Sequence, residues 1–251
     1  MKNNLKYHLL TTFFLLVVFT LSSQQSEYYA QGNDPLNLKS TTEIFEKEID
    51  VPFYLGQKIF WYDSLKLVRE NLNLEDLEKS KAPQHIRIWT DKSAIDAWKD
   101  EVGEYHCVVT SFCKAYDVKK EIEGEFFLRK INVEEISAQV LIDSLYAKEI
   151  STMKDYHHIK KVNKNLIDGV TYKIEISTPA SYRMFTFLNP ENQGNYIDEV
   201  ELFMSYLKTM NMEFDLNYIH RQFMMSLKNG VYVAGLDVIT KKNGYTKFSN
   251  R

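Results

Sequence analysis

The chain has 251 residues, of which 31 are Lys or Arg and 34 are Asp or Glu, for a formal net charge of −3 at pH 7. That balance leaves no basic footprint for a polyanion, so nucleic acid is excluded as the expected partner. With 44% hydrophobic and 14% aromatic residues the chain is able to bury a sizeable core, while two cysteines are too few for a disulfide-stapled scaffold.

Residues 1–23 place Lys2 and Lys6 ahead of an apolar run at 9–21 and close on the small residues Thr20, Ser22 and Ser23. This is the layout of a secretory signal peptide. The run is shorter than the roughly 20 residues a bilayer-spanning helix needs, so cleavage near Ser22 or Ser23 is expected rather than anchoring. No cysteine follows the run directly, which argues against an N-terminal lipid. The expected location is the periplasm or the exterior, with no membrane span in the mature protein. Loss of Lys2 and Lys6 takes the basic count from 31 to 29 against 34 acids, a formal charge of −5. Residues 24–41 are polar and aperiodic and read as a flexible mature N-terminus. No Pro-, Gly- or Ser-rich linker divides the remainder, so 42–251 reads as a single domain.

A short helix is expected at 42–48, followed by an aromatic-rich segment at 51–64 that Gly56 breaks. Asp63 or Ser64 then caps a helix carrying Leu65, Val68 and Leu72, which Ala82-Pro83 ends. Ile86 and Ile88 read as a strand. Thr90 or Asp91 has the chemistry of a helix cap, and Ile95, Trp98 and Val102 follow at helical spacing. Segments 104–116 and 125–131 are β-rich and flank a charged turn with Gly124, as in a hairpin. Asn132 and Glu135 have the spacing of a capping box for a helix with Ile136, Val140, Leu141 and Leu145.

The stretch at 166–210 is the densest in apolar residues after the leader. Val170, Tyr172, Ile174 and Ile176 alternate with Thr171, Lys173, Glu175 and Ser177, the pattern of a half-buried strand. Pro179 suits the first central position of a tight turn. A turn at Pro179-Ala180 pairs Tyr172 with Phe187, Ile174 with Phe185 and Ile176 with Arg183, which gathers the apolar side chains on one face. On the other face Glu175 meets Met184 and Lys173 meets Thr186, and this mixed surface is the expected interaction face. A helix with Ile197, Val200, Phe203, Met204, Leu207 and Met210 on one stripe comes next, then a helix near 214–227 and a last strand through Val231, Val233, Leu236, Val238 and Ile239, with a short addition at Tyr245 to Phe248. The expected fold class is α+β, a largely antiparallel sheet built from hairpins with helices packed on it.

The segments YKIEISTPASYRMFTFLNP at 172–190, IRIWT at 86–90 and LKNGVY at 227–232 resemble secreted proteins of unknown function common in the Bacteroidetes. The resemblance covers about residues 84–240 and implies export and a single domain. It implies no activity and carries over no functional residue.

No catalytic residue, cofactor motif or metal spacing stands out. The mature histidines are His85, His106, His157, His158 and His220, and only His157-His158 are close; adjacent side chains diverge, so they do not form a two-histidine metal face. These read as surface histidines, with no metal expected. Cys107 and Cys113 lie in one strand-like segment, where six extended steps span about 20 Å, so a disulfide between them requires a bend near Thr110 to Phe112. They read as buried thiols. The Glu121, Glu123 and Glu125 run reads as a solvated turn, and Ser181 as a turn serine outside any nucleophile-elbow pattern. Two functions remain: a non-catalytic binding or interaction domain that recognises a protein or envelope component, and a secreted hydrolase with scattered active-site residues. A pocket with convergent polar groups favours the enzyme, and a shallow, unpocketed sheet face favours binding.

Overall fold

A computed structural model describes residues 47–250 apart from 55–56, 59, 165–168 and 195–196. The leader expected at 1–23, the mature N-terminus expected at 24–41 and most of the helix expected at 42–48 lie outside the described residues. The strands are β1 (Glu48–Asp50), β2 (Phe53–Tyr54), β3 (Gln57–Lys58), β4 (Gln84–Trp89), β5 (Ser93–Lys99), β6 (Tyr105–Asp117), β7 (Ile122–Asn132), β8 (Thr171–Ser177), β9 (Ser181–Leu188), β10 (Gly230–Ala234), β11 (Asp237–Lys242) and β12 (Tyr245–Asn250). The helices are α1 (Phe60–Asn71), α2 (Glu135–Ala147), α3 (Asp198–Glu213) and α4 (Leu216–Ser226). The fold is α+β, as its hairpin-rich pattern implies.

Ten strands form one sheet in the order β1-β9-β8-β4-β5-β6-β10-β11-β12, with β7 on the other edge of β6. All pairs in it are antiparallel except β1 with β9. Strand β6 joins its two halves. One edge pairs first with β5 and then, at Lys114 and Ala115, with β10.

The β8–β9 hairpin has the register that its alternation requires, with Tyr172 opposite Phe187, Ile174 opposite Phe185 and Ile176 opposite Arg183. Thr178 and Ser181 close the turn between them, Ser181 N donating to Thr178 Oγ1 at 3.1 Å. The apolar face of β4, β5, β6, β8 and β9 packs under α2 and α3 in one core cluster. Phe187 stacks on Phe203 of α3 with ring centroids 4.3 Å apart. Helix α4 packs against the other half of the sheet, where Phe223 and Met224 meet Cys113, Tyr232 and Ile239.

Three expectations change. Segment 93–99 is a strand, because the Thr90 hydroxyl accepts from Lys92 N at 3.2 Å and Ser93 N at 2.9 Å and so closes a tight turn instead of opening a helix. Ile95 and Ala97 then face one way, and Ala94 and Asp96 the other. The last strand is split in two by Gly235, which reverses the chain at φ +59°, and the short addition expected at 245–248 pairs as β12 after Asn243-Gly244, at φ 51° and 82°, the left-handed pair of a tight hairpin turn. Helix α2 begins after Glu134 with no side-chain cap, so the capping box is not formed.

The interaction face expected on the hairpin is also overturned. Glu175, Met184 and Thr186 are 0%, 1% and 3% exposed. They lie on the side where Leu65 and Leu72 of α1, with Leu77 beyond it, form a second core layer. Cys107 and Cys113 are free, buried and on one continuous strand, as the strand-length argument requires.

Both faces of the hairpin are therefore interior. Phe185→Ala is expected to cost about 3 to 5 kcal/mol. Met184→Glu places a second carboxylate opposite Glu175 and is expected to cost a comparable amount, roughly 3 to 5 kcal/mol, as an uncompensated buried charge. Denaturant melts compare the two; a near-neutral Met184→Glu would mean that this face opens to water.

Candidate functional site

Two places gather chemistry: a buried polar lattice between α1 and the sheet, and a cavity at the ends of α3 and α4. In the lattice, cross-strand pairing sets Arg87 of β4 opposite Glu175 of β8 and Asp96 of β5. Arg87 Nη2 donates to Asp96 Oδ2 at 2.6 Å, and its Nη1 lies 3.6 Å from Glu175 Oε2. Glu175 also accepts from Arg69 Nη1 of α1 at 2.8 Å, Trp89 Nε1 at 2.6 Å and Tyr182 OH at 2.9 Å. Burial alone would raise the Asp96 carboxyl, but Arg87 and the His85 hydrogen bond outweigh it and hold it below the usual carboxylate range. The Tyr182 phenol is pushed well up, first by burial and then by Glu175.

The lattice continues through His85. Its Nε2 meets Asp96 Oδ1 at 2.7 Å, and its Nδ1 meets Ser80 Oγ at 2.8 Å. Ser80 and His85 line a cavity of about 360 Å³. The order Ser80, His85, Asp96 is that of a nucleophile relay. Its surroundings argue for a structural role. The second Asp96 oxygen is held by Arg87, which leaves less charge to stabilise an imidazolium; Ser80 Oγ also accepts from Ala82 N at 3.4 Å, and Ser80 is only 4% exposed. The chain orients His85 and closes the loop ahead of β4.

The larger cavity, about 560 Å³, lies between the β4–β5 turn, the start of β8, and α3 and α4. Its apolar wall includes Met204, Leu207, Met210, Met212 and Leu216, and its polar groups include Asp91, Tyr172, Glu191 and His220. The Tyr172 hydroxyl donates to Glu191 Oε1 at 2.7 Å. Burial, then Glu191, raises that phenol far above its ordinary value. Burial raises the Asp91 carboxyl despite the nearby Lys92 and Lys173. Gly235 fits beneath this carboxylate because it lacks a side chain: a Cβ there would sit 2.4 Å from Asp91 Oδ2, in a backbone of φ +59°. Lys92 is engaged by Asp237 Oδ2 at 2.7 Å.

His220 is 9% exposed, and neither ring nitrogen has a hydrogen-bond partner. Burial pushes its pKa down to about 4. An interior imidazole with donor and acceptor both unused is costly and marks a position kept for something other than packing.

The residues singled out from the sequence are scattered. His85 and His220 are interior rather than surface groups. His106 comes within ligand reach of Asp100 and Glu104, a juxtaposition that spacing did not suggest. Asp100 is engaged there in holding the turn, accepting from His106 Nε2 at 2.9 Å and from Val102 N and Glu104 N. Ser181 is the turn residue it was read as, and Glu121, Glu123 and Glu125 are exposed on the β6–β7 hairpin. The sequence pattern makes Asp91 a cap and Tyr172 a core residue and gives Glu191 no role; no spacing links them to His220. Among the described residues no helix is long and apolar enough to cross a membrane. Compared with known protein families and with curated proteins, the chain matches none.

Arg87→Met strips Glu175 and Asp96 of a shared cation, and denaturant unfolding is expected to show a loss of roughly 3 to 5 kcal/mol. A loss below that of an exposed ion pair would mean that water reaches the lattice.

For His220 the folded pKa lies below the model-peptide value of 6.5. Its contribution is therefore fully present above about pH 6.5 and is lost as pH falls toward 4, by roughly 3 kcal/mol at the acid end. His220→Phe is expected to flatten the stability profile over that window relative to the parent. Parallel profiles for the two proteins would show that His220 takes up its proton without strain.

Proposed function

We propose that the chain is an exported, non-catalytic binding protein of the periplasm or exterior, and that it holds a small amphipathic molecule in the cavity between the β4–β5 turn, α3 and α4. Export rests on the leader at 1–23 and on the resemblance to secreted proteins. The observation that carries the binding reading is the cavity itself: about 560 Å³, with a methionine-rich wall beside Asp91 and His220. Methionine side chains adapt to irregular apolar ligands, and a few convergent polar groups in an apolar hollow are the usual make-up of a ligand site.

The hydrolase alternative asks for a nucleophile held by a base at the cavity. Candidate hydroxyls there are engaged otherwise: Thr90 closes its own turn, Ser93 Oγ meets Ser111 Oγ at 3.5 Å, and Tyr172 donates to Glu191. His220 holds no hydroxyl. Binding without turnover is the better fit.

An uncharged amphipathic dye, N-phenyl-1-naphthylamine, is expected to show saturable fluorescence enhancement with one site per chain. Asn217 is an exposed residue on the cavity lining, and Asn217→Trp is expected to abolish the signal while leaving the melting temperature unchanged. A fluorophosphonate probe is expected to leave Ser80 unmodified. Dye binding insensitive to Asn217→Trp contradicts the cavity assignment, and covalent labelling at Ser80 restores the hydrolase.

A further inference from the structure

The polar side of the cavity is rich in acceptors. Asp91 presents a partly buried carboxylate. Glu191 presents a second carboxylate, and both lie close enough to the Tyr172 hydroxyl to act on it electrostatically. His220, neutral at pH 7, has an unused ring acceptor. Two cations act on Asp91: Lys92, whose charge is answered by Asp237 at 2.7 Å, and Lys173; Lys208 also lines the cavity. Two carboxylates and an aromatic ring beside an aliphatic and thioether wall form a complementary environment for an organic cation.

Resting on the binding reading above, we infer that the ligand of this cavity carries a primary ammonium on an aliphatic body, with the ammonium at Asp91 and Glu191 beside the Tyr172 ring and the chain along Met204, Met210 and Leu216. The ammonium donates to Asp91. Gly235 lies close behind the Asp91 carboxylate, where any side chain would collide with it. Glu191, exposed and already held by Tyr172, forms the outer side of the charge pair.

Calorimetric titration at pH 7 with n-octylammonium, 1-octanol and octanoate separates the headgroup from the body. Octylammonium is expected to bind about tenfold or more tightly than octanol, as a charge-assisted contact warrants, and octanoate more weakly than either. Asp91→Asn is expected to remove the preference for the amine over octanol. Glu191→Gln, at an exposed position, is expected to reduce the preference without affecting folding. If octanol or octanoate binds as well as the amine, and Asn217→Trp abolishes that binding, the ammonium inference is overturned and the cavity reading stands. If none of the three binds in a way that Asn217→Trp disrupts, the cavity reading falls as well.

Discussion

Arg87 is 0% exposed, and the centre of the sheet is arranged so that its charge is answered on both flanks. Antiparallel pairing puts a carboxylate directly opposite it on each neighbouring strand, Glu175 on one side and Asp96 on the other. Each carboxylate then recruits further donors: Arg69, Trp89 and Tyr182 for Glu175, and His85 for Asp96. Buried charges of this kind contribute little net stability when complete and cost several kcal/mol when one partner is missing. Their effect is to specify arrangement. A slip of β4 by one residue would expose Arg87 to the apolar helical layer and strand both acids. Arg69 carries the same constraint into α1, fixing which face of that helix meets the sheet.

This lattice explains where sequence reading succeeded and where it failed. The β8–β9 register was legible because Tyr172, Ile174, Ile176, Phe185 and Phe187 all declare one face by hydrophobicity. The opposite face is misread for the same reason: Glu175, Lys173 and Thr186 have the composition of a solvated surface, and only the neighbouring elements reveal that Arg87 answers the Glu175 charge and that Asp155 accepts from Thr186. Segment 93–99 was misread as a helix because Thr90 and Asp91 have the chemistry of a cap. The same hydroxyl that would cap a helix closes a tight turn when Ser93 pairs back to it. Ile95 and Trp98, three residues apart, would share a helix face; in the strand they lie on opposite faces, and because both faces of β5 are largely covered no polar alternation betrays it.

The cavity was invisible for a different reason. Asp91, Tyr172, Glu191 and His220 come from a turn, a strand, a short helical turn and a helix, at separations that follow no period. What brings them together is the branching of the sheet at β6: β10 and β11 pair beyond β5, so the Gly235 turn rises against the β4–β5 turn close behind Asp91. One residue carried a usable signal. His220 falls in a helix beside Phe223 and Met224, on the face that packs, and a histidine among core positions is either satisfied or reserved. Here both nitrogens are unpartnered.

The polar lattice and the cavity divide the work between them, the first specifying the sheet and the second presenting a site at its end. Hydrogen–deuterium exchange with and without n-octylammonium tests that division most directly, because the two regions fall in different peptides. Slower exchange is predicted in the turn at 90–93 and across the α3–α4 junction, with the loop at 75–82 unchanged. Protection centred on 75–82 and Ser80, or no protection anywhere, would contradict it.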